Sequence, residues 1–495
     1  MTMEVLVAGA GPVGLAMAAE LARYGVSVRI VEKAAQRTDK SKALVVWSRT
    51  LELMDRMGCT PTFLAAGRKA TAANMFAGSK RLAHIEFGGV DTPYPFALMI
   101  PQSETEHLLE QHLNGLGVQV ERSVELLQFA GDASRVTSTL RHADGSEETV
   151  ESAWLIGCDG AHSTVRHGLG VGFEGDTMTS DWILADVHVE DMPAAADVNV
   201  FWHADGVLAV FPISETRFRV IADGGESKGS QPPPDPTMEQ VQQLLDDRGP
   251  GGVRATDPIW LAGFRINERK VKDYRVGRVF LAGDAAHIHS PAGGQGMNTG
   301  IQDACNLAWK LALVCHGTCA PEPLLGSYSI ERSAVGEEVL KAAGRVTTIA
   351  IMRGEVKQTI RNHIAALVFG FKPVRDEMAE MMTEISIGYP DSPLNGPGNS
   401  EHETPRAGER APIRVGETPV GGGERPRFAL CTEWDAKTAQ LLAKFPTLLE
   451  AEVRRPYSDD GLWLIRPDGY VALATRRGEE DLVEEYLEKL SLSNN

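Results

Sequence analysis

Residues 5–32 read VLVAGAGPVGLAMAAELARYGVSVRIVE, and this stretch decides the predicted fold of the chain. The apolar run 4–8 predicts a strand. Residues 12–24 predict a helix, because apolar side chains recur at helical spacing before Gly25, a typical helix stop. The run 28–32 predicts the next strand. A strand, a helix and a strand in this order indicate an α/β fold with a parallel sheet and helices on both of its faces.

The glycine-rich turn between the first strand and the helix is typical of a site for a dinucleotide pyrophosphate. Gly9 permits the tight turn, Gly11 lets a pyrophosphate approach the backbone, and Gly14 lets the helix pack closely on the sheet. The helix beginning at Pro12 offers unpaired N–H groups to the phosphates, and Glu32 ends the second strand where an acid binds ribose hydroxyls. Only one such turn occurs, so either one dinucleotide binds or a second reagent docks without its own domain.

The composition excludes several classes of protein. The 495 residues predict about two to four domains, and the net charge of −18 argues against nucleic acid or an anionic membrane surface as a partner. No secretory signal or membrane span is predicted, and six scattered cysteines do not predict a disulfide framework, so we expect a cytoplasmic protein. The 50 glycines exceed the usual share of roughly 7%, so their positions are informative.

Two residue pairs are candidates for metal ligands. Cys315 and Cys319 stand four apart and His287 and His289 two apart, but neither pair has further ligands at metal-binding spacing. We therefore predict buried free thiols and no metal site.

Two further glycine-containing motifs follow predicted strands at 154–158 and 279–282. The first motif is Cys158-Asp-Gly-Ala-His-Ser-Thr-Val-Arg166, and the second runs from Ala282-Gly-Asp through Pro291-Ala-Gly-Gly-Gln-Gly-Met-Asn298. With three motifs at this spacing, nearly the whole chain resembles the single-component FAD-dependent aromatic hydroxylases of the para-hydroxybenzoate hydroxylase group. It is most similar to the larger phenol and polyketide hydroxylases, which add a third domain.

The resemblance implies three domains. Alternating apolar and polar residues from about 176 to 265 predict an antiparallel sheet, and residues 388–426 are rich in proline and glycine and indicate a linker. We therefore expect a Rossmann-like FAD-binding domain, an inserted antiparallel β-sheet domain for the substrate, and a C-terminal thioredoxin-like domain that lacks a CxxC motif. Their expected bounds are 1–75, 100–175 and 266–388 for the first, 76–99 and 176–265 for the second, and 389–495 for the linker and third.

The resemblance also implies which residues contact the flavin. Asp284 follows a strand and would reach the ribityl hydroxyls, and Pro291 and the glycines after it allow a close approach. The helix starting near Met297 would point its first N–H groups at the flavin N1–C2=O edge and stabilise negative charge there. The expected catalytic set is this flavin-edge loop, with no side-chain base identified: Pro291, Gly296, Met297 and Asn298.

Other expected contacts rest on the family pattern alone. Gln102 matches a glutamine that contacts FAD, and the segment of Asp159 and Arg166 serves FAD and the nicotinamide, either directly or by holding the fold. Lys42 stands where the family usually has an arginine, and lysine lacks the planar fork of that side chain. Arg49 either compensates for the missing arginine or is an ordinary surface residue. The full expected FAD-binding set is Gly9, Gly11, Pro12, Gly14, Glu32, Lys33, Lys42, Arg49, Gln102, Asp159, Asp284, Pro291, Gly294, Gly296, Met297 and Asn298.

The implied reaction uses NADPH to reduce FAD, forms a flavin C4a-hydroperoxide with O2, and hydroxylates a phenolic or polycyclic, polyketide-like aromatic compound. Lys33, Arg37 and Lys40 favour NADPH, although NADH is possible and solvated surface charge is the alternative. Baeyer–Villiger or drug-inactivating oxygenation on the same fold, or a non-catalytic flavoprotein that shields an intermediate, are the competing functions. The expected protein is a monomer or homodimer that binds a small aromatic substrate. Candidate substrate-wall residues, each with plain core packing as its alternative, are Phe87, Tyr94, Phe96, Trp182, Phe211 and Phe264.

Overall fold

The predicted strand–helix–strand unit forms the N-terminal part of the computed structural model. That structure describes residues 3–38, 42–227, 229, 233–291, 293–350, 355–397 and 404–492. The strands, in chain order, are β1 (Val5–Ala8), β2 (Val28–Glu32), β3 (Val45–Val46), β4 (Arg68–Ala70), β5 (Ala72–Ala77), β6 (Lys80–Glu86), β7 (Ala97–Met99), β8 (Val120–Arg122), β9 (Glu125–Gly131), β10 (Val136–Arg141), β11 (Glu147–Ser152), β12 (Trp154–Gly157), β13 (Glu174–Glu190), β14 (Val198–His203), β15 (Gly206–Pro212), β16 (Arg217–Glu226), β17 (Arg254–Lys270), β18 (Arg275–Val276), β19 (Val279–Leu281), β20 (His287–Ile288), β21 (Ala429–Cys431), β22 (Gly461–Ile465) and β23 (Val471–Arg476).

Helices separate these strands and cover the sheets. In chain order they are α1 (Pro12–Arg23), α2 (Ser48–Met57), α3 (Thr60–Ala66), α4 (Gln102–Gly115), α5 (Thr164–Leu169), α6 (Met238–Arg248), α7 (Gly296–Cys315), α8 (Pro321–Leu324), α9 (Gly326–Ala350), α10 (Glu355–Val368), α11 (Lys372–Met382), α12 (Ala436–Lys444) and α13 (Glu480–Leu490). Within the described ranges, no helix is both long and apolar enough to cross a membrane.

A six-stranded sheet confirms the predicted parallel α/β arrangement. Its strand order is β18-β19-β12-β1-β2-β8, and every pair is parallel except the edge hairpin of β18 and β19. The order brings β1, β12 and β19 together, and these are the three strands that precede the glycine-containing motifs. Because parallel strands end at the same edge of a sheet, the three motifs lie side by side.

An eight-stranded sheet contains the region predicted to be antiparallel. Its order is β20-β17-β13-β16-β15-β14-β5-β6, and its pairs are antiparallel except for the parallel pair of β14 and β5. The hairpin of β5 and β6 starts at Ala72, four residues before the expected boundary. Strand β7 pairs instead with β3 and β4 in a separate small sheet. Apolar side chains of α6 pack against one face of the large sheet.

The C-terminal part begins with residues 388–397 and 404–426, which contain no helix or strand where the structure describes them. The strands β22 and β23 form an antiparallel hairpin, and β21 pairs antiparallel with β22. Two isolated parallel bridges, Phe428 with Leu449 and Cys431 with Arg454, extend this sheet on its other side.

A buried group of charges joins the C-terminal hairpin to α7 and α9. Arg466 donates from Nη1 to Glu331 Oε1 at 2.7 Å and from Nη2 to Asp468 Oδ2 at 2.6 Å, and Lys310 Nζ donates to Glu331 Oε2 at 2.7 Å. The side chains of Arg466, Glu331 and Lys310 are fully buried. Burial alone would raise the pKa of the Glu331 carboxyl, but the charges of Arg466 and Lys310 outweigh it and lower that pKa.

We predict that Arg466→Met destabilises the fold strongly, because it leaves the Glu331 and Asp468 carboxylates buried without their main donor. Breaking a buried ion pair by removing one partner costs roughly 3–5 kcal/mol. Denaturant unfolding of Arg466→Met measures the cost. The matched control is Arg135→Met, which breaks an exposed ion pair with Glu151 and should cost at most about 1 kcal/mol. Equal losses in the two variants would contradict the prediction.

Candidate cofactor site

The glycine-rich turn after β1 divides its glycines between packing and access. A Cβ added at Gly9, where φ is +100°, would lie 2.4 Å from the carbonyl oxygen of Cys158, and one at Gly14 would lie 1.9 Å from Gly9 O. These two positions therefore need glycine for the protein's own packing. A Cβ at Gly11 would meet no protein atom within 4 Å, at the N-terminus of the helix that begins at Pro12. That arrangement fits a group that approaches the backbone from outside the protein, as a pyrophosphate does.

The Glu32 carboxylate lies beside this turn. Its Oε2 accepts a hydrogen bond from Ala10 N at 2.9 Å, and its Oε1 accepts one from Ala34 N at 2.9 Å. A carboxylate has about four lone-pair positions, so these two bonds fix its direction and leave capacity for ribose hydroxyls. Lys33 is exposed, Arg37 pairs with Glu110 at 3.3 Å, and Lys40 lies outside the described residues.

The motif after β12 contributes an acid and an arginine. Asp159 Oδ2 accepts from Val165 N at 3.1 Å, whereas Oδ1 is buried with no hydrogen-bond partner in the described part of the chain. Arg166 is buried and donates to Ala161 O at 2.8 Å and to Ala285 O at 3.1 Å. Arg166 therefore ties its own motif to the motif after β19. These contacts of Arg166 fit the indirect role, in which it holds the fold. The buried Oδ1 of Asp159, which has no partner in the described residues, fits a ligand hydroxyl.

The turn after β19 is held from behind by Asp303 of α7. Asp303 Oδ2 accepts from Gly283 N at 3.0 Å and lies 2.8 Å from His287 Nε2. Its Oδ1 accepts from Arg332 Nε at 2.6 Å, and Arg332 Nη2 also donates to Thr299 O at 2.9 Å. Burial raises the pKa of the Asp303 carboxyl, but the charge of Arg332 outweighs it and lowers that pKa. The carboxylate thus fixes both the turn and the first part of α7.

Asp284 lies on the other side of the same turn, with a solvent-accessible side chain. The protein around it still raises the pKa of its carboxyl by desolvation, while His287 and Lys42 act in the opposite direction. The exposed Asp284 side chain is free of hydrogen bonds to the protein in the described residues, so its role toward a ligand hydroxyl stays a prediction.

The flavin-edge loop leads into α7, which begins at Gly296, one residue before the predicted start. The first N–H groups of a helix have no partner within it, so those of Gly296 to Asn298 are available as donors. The Asn298 side chain is buried and accepts from Trp47 N at 2.9 Å while it donates to Val45 O at 2.9 Å. Asn298 therefore contributes its backbone to the candidate site, and its side chain joins the loop to β3.

Two residues expected near the cofactor hold neighbouring segments instead. Gln102 Oε1 accepts from Ala43 N at 3.1 Å, which fixes the chain next to Lys42. Both roles expected for Arg49 are wrong. Only 1% of Arg49 is exposed, so it is not a surface residue. Its Nη1 donates to Glu52 Oε2 at 2.9 Å and its Nη2 to Asp468 O at 2.8 Å, so its guanidinium is committed to the C-terminal hairpin and does not replace an arginine at position 42.

The eight-stranded sheet contains a pair of charged residues that was not predicted from the sequence. Arg219 is fully buried, donates from Nε and Nη2 to Asp186 at 2.7 and 2.8 Å, and donates from Nη1 to Lys42 O at 2.8 Å. The pair connects this sheet to the backbone at Lys42 and Ala43. A signal was present, since both charges interrupt apolar strands, and Asp186 and Arg219 stand directly opposite in the register of β13 and β16.

The six aromatic candidates do not form one wall. Tyr94 and Phe96 form one pair with ring centroids 6.4 Å apart, and Trp182 and Phe264 form another at 6.5 Å. Phe87 is fully buried against Trp47, with centroids 5.5 Å apart, so its role is core packing and the expected substrate contact is corrected.

Phe211 remains the best placed of the six. It is half-buried and packs on the cluster that contains Phe87 and Trp47. Trp47 in turn donates from Nε1 to Gly293 O of the flavin-edge loop at 2.8 Å.

A buried carboxyl lies behind the first turns of α7. Glu384 Oε2 accepts from Gln302 Nε2 at 2.6 Å, and Oε1 has no hydrogen-bond partner in the ranges described above. Its backbone has a φ of +61°, which is uncommon for a residue other than glycine. Burial raises the pKa of Glu384 to about 8, although Arg332 acts in the opposite direction, so the group is mainly neutral at pH 7.

The chain is similar to several known proteins in sequence and in fold. A family model described as an FAD binding domain matches residues 2–343. The 6-methylpretetramide 4-monooxygenase of Streptomyces rimosus is 34% identical over 99% of this chain and 94% of that protein. The rifampicin monooxygenase of Streptomyces venezuelae is 36% identical over 78% of this chain and 79% of that protein. The solved anhydrotetracycline hydroxylase of Streptomyces rimosus superposes with a TM-score of 0.81 at 30% identity and covers 99% of both chains.

We predict that Gly11→Ala folds normally but binds FAD at least about tenfold more weakly. The φ of −74° at Gly11 suits alanine, and the added methyl group would occupy only the space that a pyrophosphate needs. Gly14→Ala is the contrasting variant and should lose stability without FAD, because its Cβ would overlap Gly9 O. Thermal unfolding of both apoproteins and FAD titration by fluorescence quenching test this. Unchanged FAD affinity in Gly11→Ala would exclude the assigned cradle.

We also predict a pH-dependent stability difference at Glu384. The unfolded chain releases this proton above about pH 4.5, and the folded protein retains it to about pH 8, so the group's contribution falls as pH rises across that window. The fall approaches about 1.4 kcal/mol per pH unit. Glu384→Gln should therefore gain stability relative to the parent between about pH 5 and 8 in denaturant unfolding. Glu380→Gln, at an exposed position, should not; a pH-independent difference at 384 would refute the prediction.

Proposed function

The chain belongs to the FAD binding domain family, and we propose that it is a flavoprotein monooxygenase that uses FAD, NADPH and O2 to hydroxylate a phenolic or polycyclic aromatic substrate. The observation that carries this proposal is the position of the three glycine-containing motifs. They follow β1, β12 and β19, which are adjacent parallel strands. Ligands of open α/β sheets bind at the carboxyl ends of such strands.

The residues present fit FAD. The open approach at Gly11 suits its pyrophosphate, the Glu32 carboxylate its ribose, and the accessible Asp284 its ribityl hydroxyls. When bound, FAD would supply the hydride acceptance and the oxygen activation. The protein's own part would be to hold the isoalloxazine edge at the N-terminus of α7, where N–H groups and the helix dipole favour negative charge.

Two charged contacts would set the geometry of the flavin. Asp303 fixes the turn that carries Asp284 relative to α7, through Gly283 N and Arg332. Arg219 fixes the backbone beside Lys42 to the eight-stranded sheet. We propose that the substrate lies between that sheet and the flavin-edge loop, near Phe211. Packing against the fixed sheet would orient the aromatic ring and exclude water.

We propose that the chain divides as its sequence indicates. The C-terminal region would be a thioredoxin-like domain. This is supported by its order of strand, helix, bridged segment, hairpin and helix. Cys431 is its only cysteine, so no dithiol chemistry is expected and a packing or assembly role follows, in a monomer or a homodimer. The proposed bounds remain 1–75, 100–175 and 266–388 for FAD, 76–99 and 176–265 for substrate, and 389–495 for the linker and C-terminal domain.

The substrate class we favour is polyketide-like, because two relatives that cover nearly the whole chain are named for 6-methylpretetramide and anhydrotetracycline. The similarity to a rifampicin monooxygenase supports a second candidate, oxygenation that inactivates a drug. The exposed Lys33 and the neighbouring Arg37 support NADPH over NADH.

We predict that the purified protein retains FAD, and that polycyclic phenols stimulate its NADPH oxidation with matching O2 consumption. A panel of phenols, anthraquinones, tetracycline precursors and rifamycins should yield a product one oxygen atom heavier for at least one class. Ring opening detected by mass and NMR would identify a Baeyer–Villiger outcome. NADPH oxidation without O2 uptake would contradict the proposal in favour of a reductase. Gly11→Ala serves as the control with impaired FAD binding.

A further inference from the structure

A small, partly open cavity lies outside the candidate cofactor site, where the linker passes between α2 and the C-terminal sheet. This linker cavity has a volume of about 30 Å³. Linker residues 411–414 and 417–420 form most of its wall, and α2 contributes Arg56. The charged residues that line it are Arg56, Arg414, Arg454 and Glu417.

Arg56 is the residue whose hydrogen bonding is incomplete. Only 5% of it is exposed, its Nε donates to Val420 O at 3.0 Å, and its Nη1 is buried with no hydrogen-bond partner in the described parts of the chain. A buried guanidinium without a counterion is costly. Burial, followed by the like charge of Arg49, lowers the pKa of Arg56 to about 10. The site therefore favours an incoming negative charge.

The nearest carboxylates do not satisfy that demand. Glu52 accepts hydrogen bonds from Arg49, at 2.9 Å, and from Arg410, at 3.1 Å. Asp468 accepts two from Arg466, at 3.0 and 2.6 Å. Neither carboxylate forms a hydrogen bond to Arg56 in the residues that the structure describes.

The other two arginines of the cavity keep its lining positive. Arg454 pairs with Glu450 at 2.6 Å and donates to Thr418 O at 2.6 Å. Arg414 donates to Pro456 O at 2.7 Å, and its nearest carboxylate, that of Glu417, is 4.0 Å away. With Glu450 included, the charged groups beside the cavity are three guanidinium groups and two carboxylates; Glu52 and Asp468 also lie near Arg56 but are already bonded to other arginines.

The volume limits the size of the ligand. One water molecule needs roughly 10–15 Å³ of such space, so about 30 Å³ holds a monatomic anion or one to two waters. A nucleotide or an aromatic substrate is too large.

We propose that the linker cavity binds a single small monovalent anion of the halide type, with the Arg56 guanidinium as the main donor. The anion fastens the linker, which already binds Arg56 through Val420 O, to the FAD-binding part of the chain. Loss of the anion loosens the C-terminal part without removing any group of the candidate cofactor site.

Thermal unfolding of the FAD-loaded enzyme tests this at constant ionic strength, as chloride replaces gluconate. We expect the melting temperature to rise saturably by a few degrees, as it does when a ligand binds only the folded state. Arg56→Met should remove the chloride dependence. Arg375→Met is the matched control and should retain it, because Arg375 does not line the linker cavity and, within the described residues, donates to the carbonyl oxygens of Phe369 and Gly370.

Bromide in crystals of the unaltered chain gives a second, direct measurement should Arg56→Met fail to fold. An anomalous bromide peak in the linker cavity beside the Arg56 guanidinium supports the proposal. Water alone in the linker cavity overturns the proposal. So does a melting temperature that responds equally to chloride in the parent and in Arg56→Met. A parent melting temperature that does not change when chloride replaces gluconate overturns it as well.

Discussion

The carboxylate of Asp303 connects the parts of the candidate cofactor site that must not move relative to one another. It accepts the N–H of Gly283 and the guanidinium of Arg332, and Arg332 also binds the carbonyl of Thr299 in the first turns of α7. A turn and a helix end are thus positioned by one buried ion pair. Such a pair is not a strong source of net stability, but it allows few alternative arrangements of the groups around it. Its value here is geometric.

The same helix links this pair to the C-terminal hairpin. Glu331 precedes Arg332 on α9 and accepts from Arg466 and Lys310, all within a fully buried environment. Adjacent residues of one helix thus serve the cofactor turn on one side and the C-terminal hairpin on the other. Arg49 adds a third contact by donating to Asp468 O. The C-terminal part is therefore integrated with the FAD-binding part through charges as well as through apolar packing.

The sequence predicts those features that depend on residues close together in the chain. The strand–helix–strand unit, the packing roles of Gly9 and Gly14 and the start of α7 follow from local spacing. The family resemblance adds the arrangement of the sheets, which the structure confirms in outline.

Contacts between distant residues were not predictable from the same pattern. Arg466 and Glu331 are 135 positions apart, and nothing in either local sequence indicates that they meet. Arg49 lies on an ordinary amphipathic helix, so its burial depends on a hairpin more than 400 residues later. The six aromatic candidates have in common only their residue type and the region of the chain in which they lie. Type alone does not distinguish Phe87, fully buried against Trp47, from the half-buried Phe211.

The pairing of Asp186 with Arg219 limits how the length of β16 can change. Phe218 and Val220, on either side of Arg219, belong to the apolar cluster covered by α6. A single inserted or deleted residue within β16 would turn those side chains to the opposite face and bury an unpaired arginine. A change of length within β16 near Arg219 would therefore break the Asp186–Arg219 pair, whereas replacing other side chains of the strand leaves the register and the pair intact.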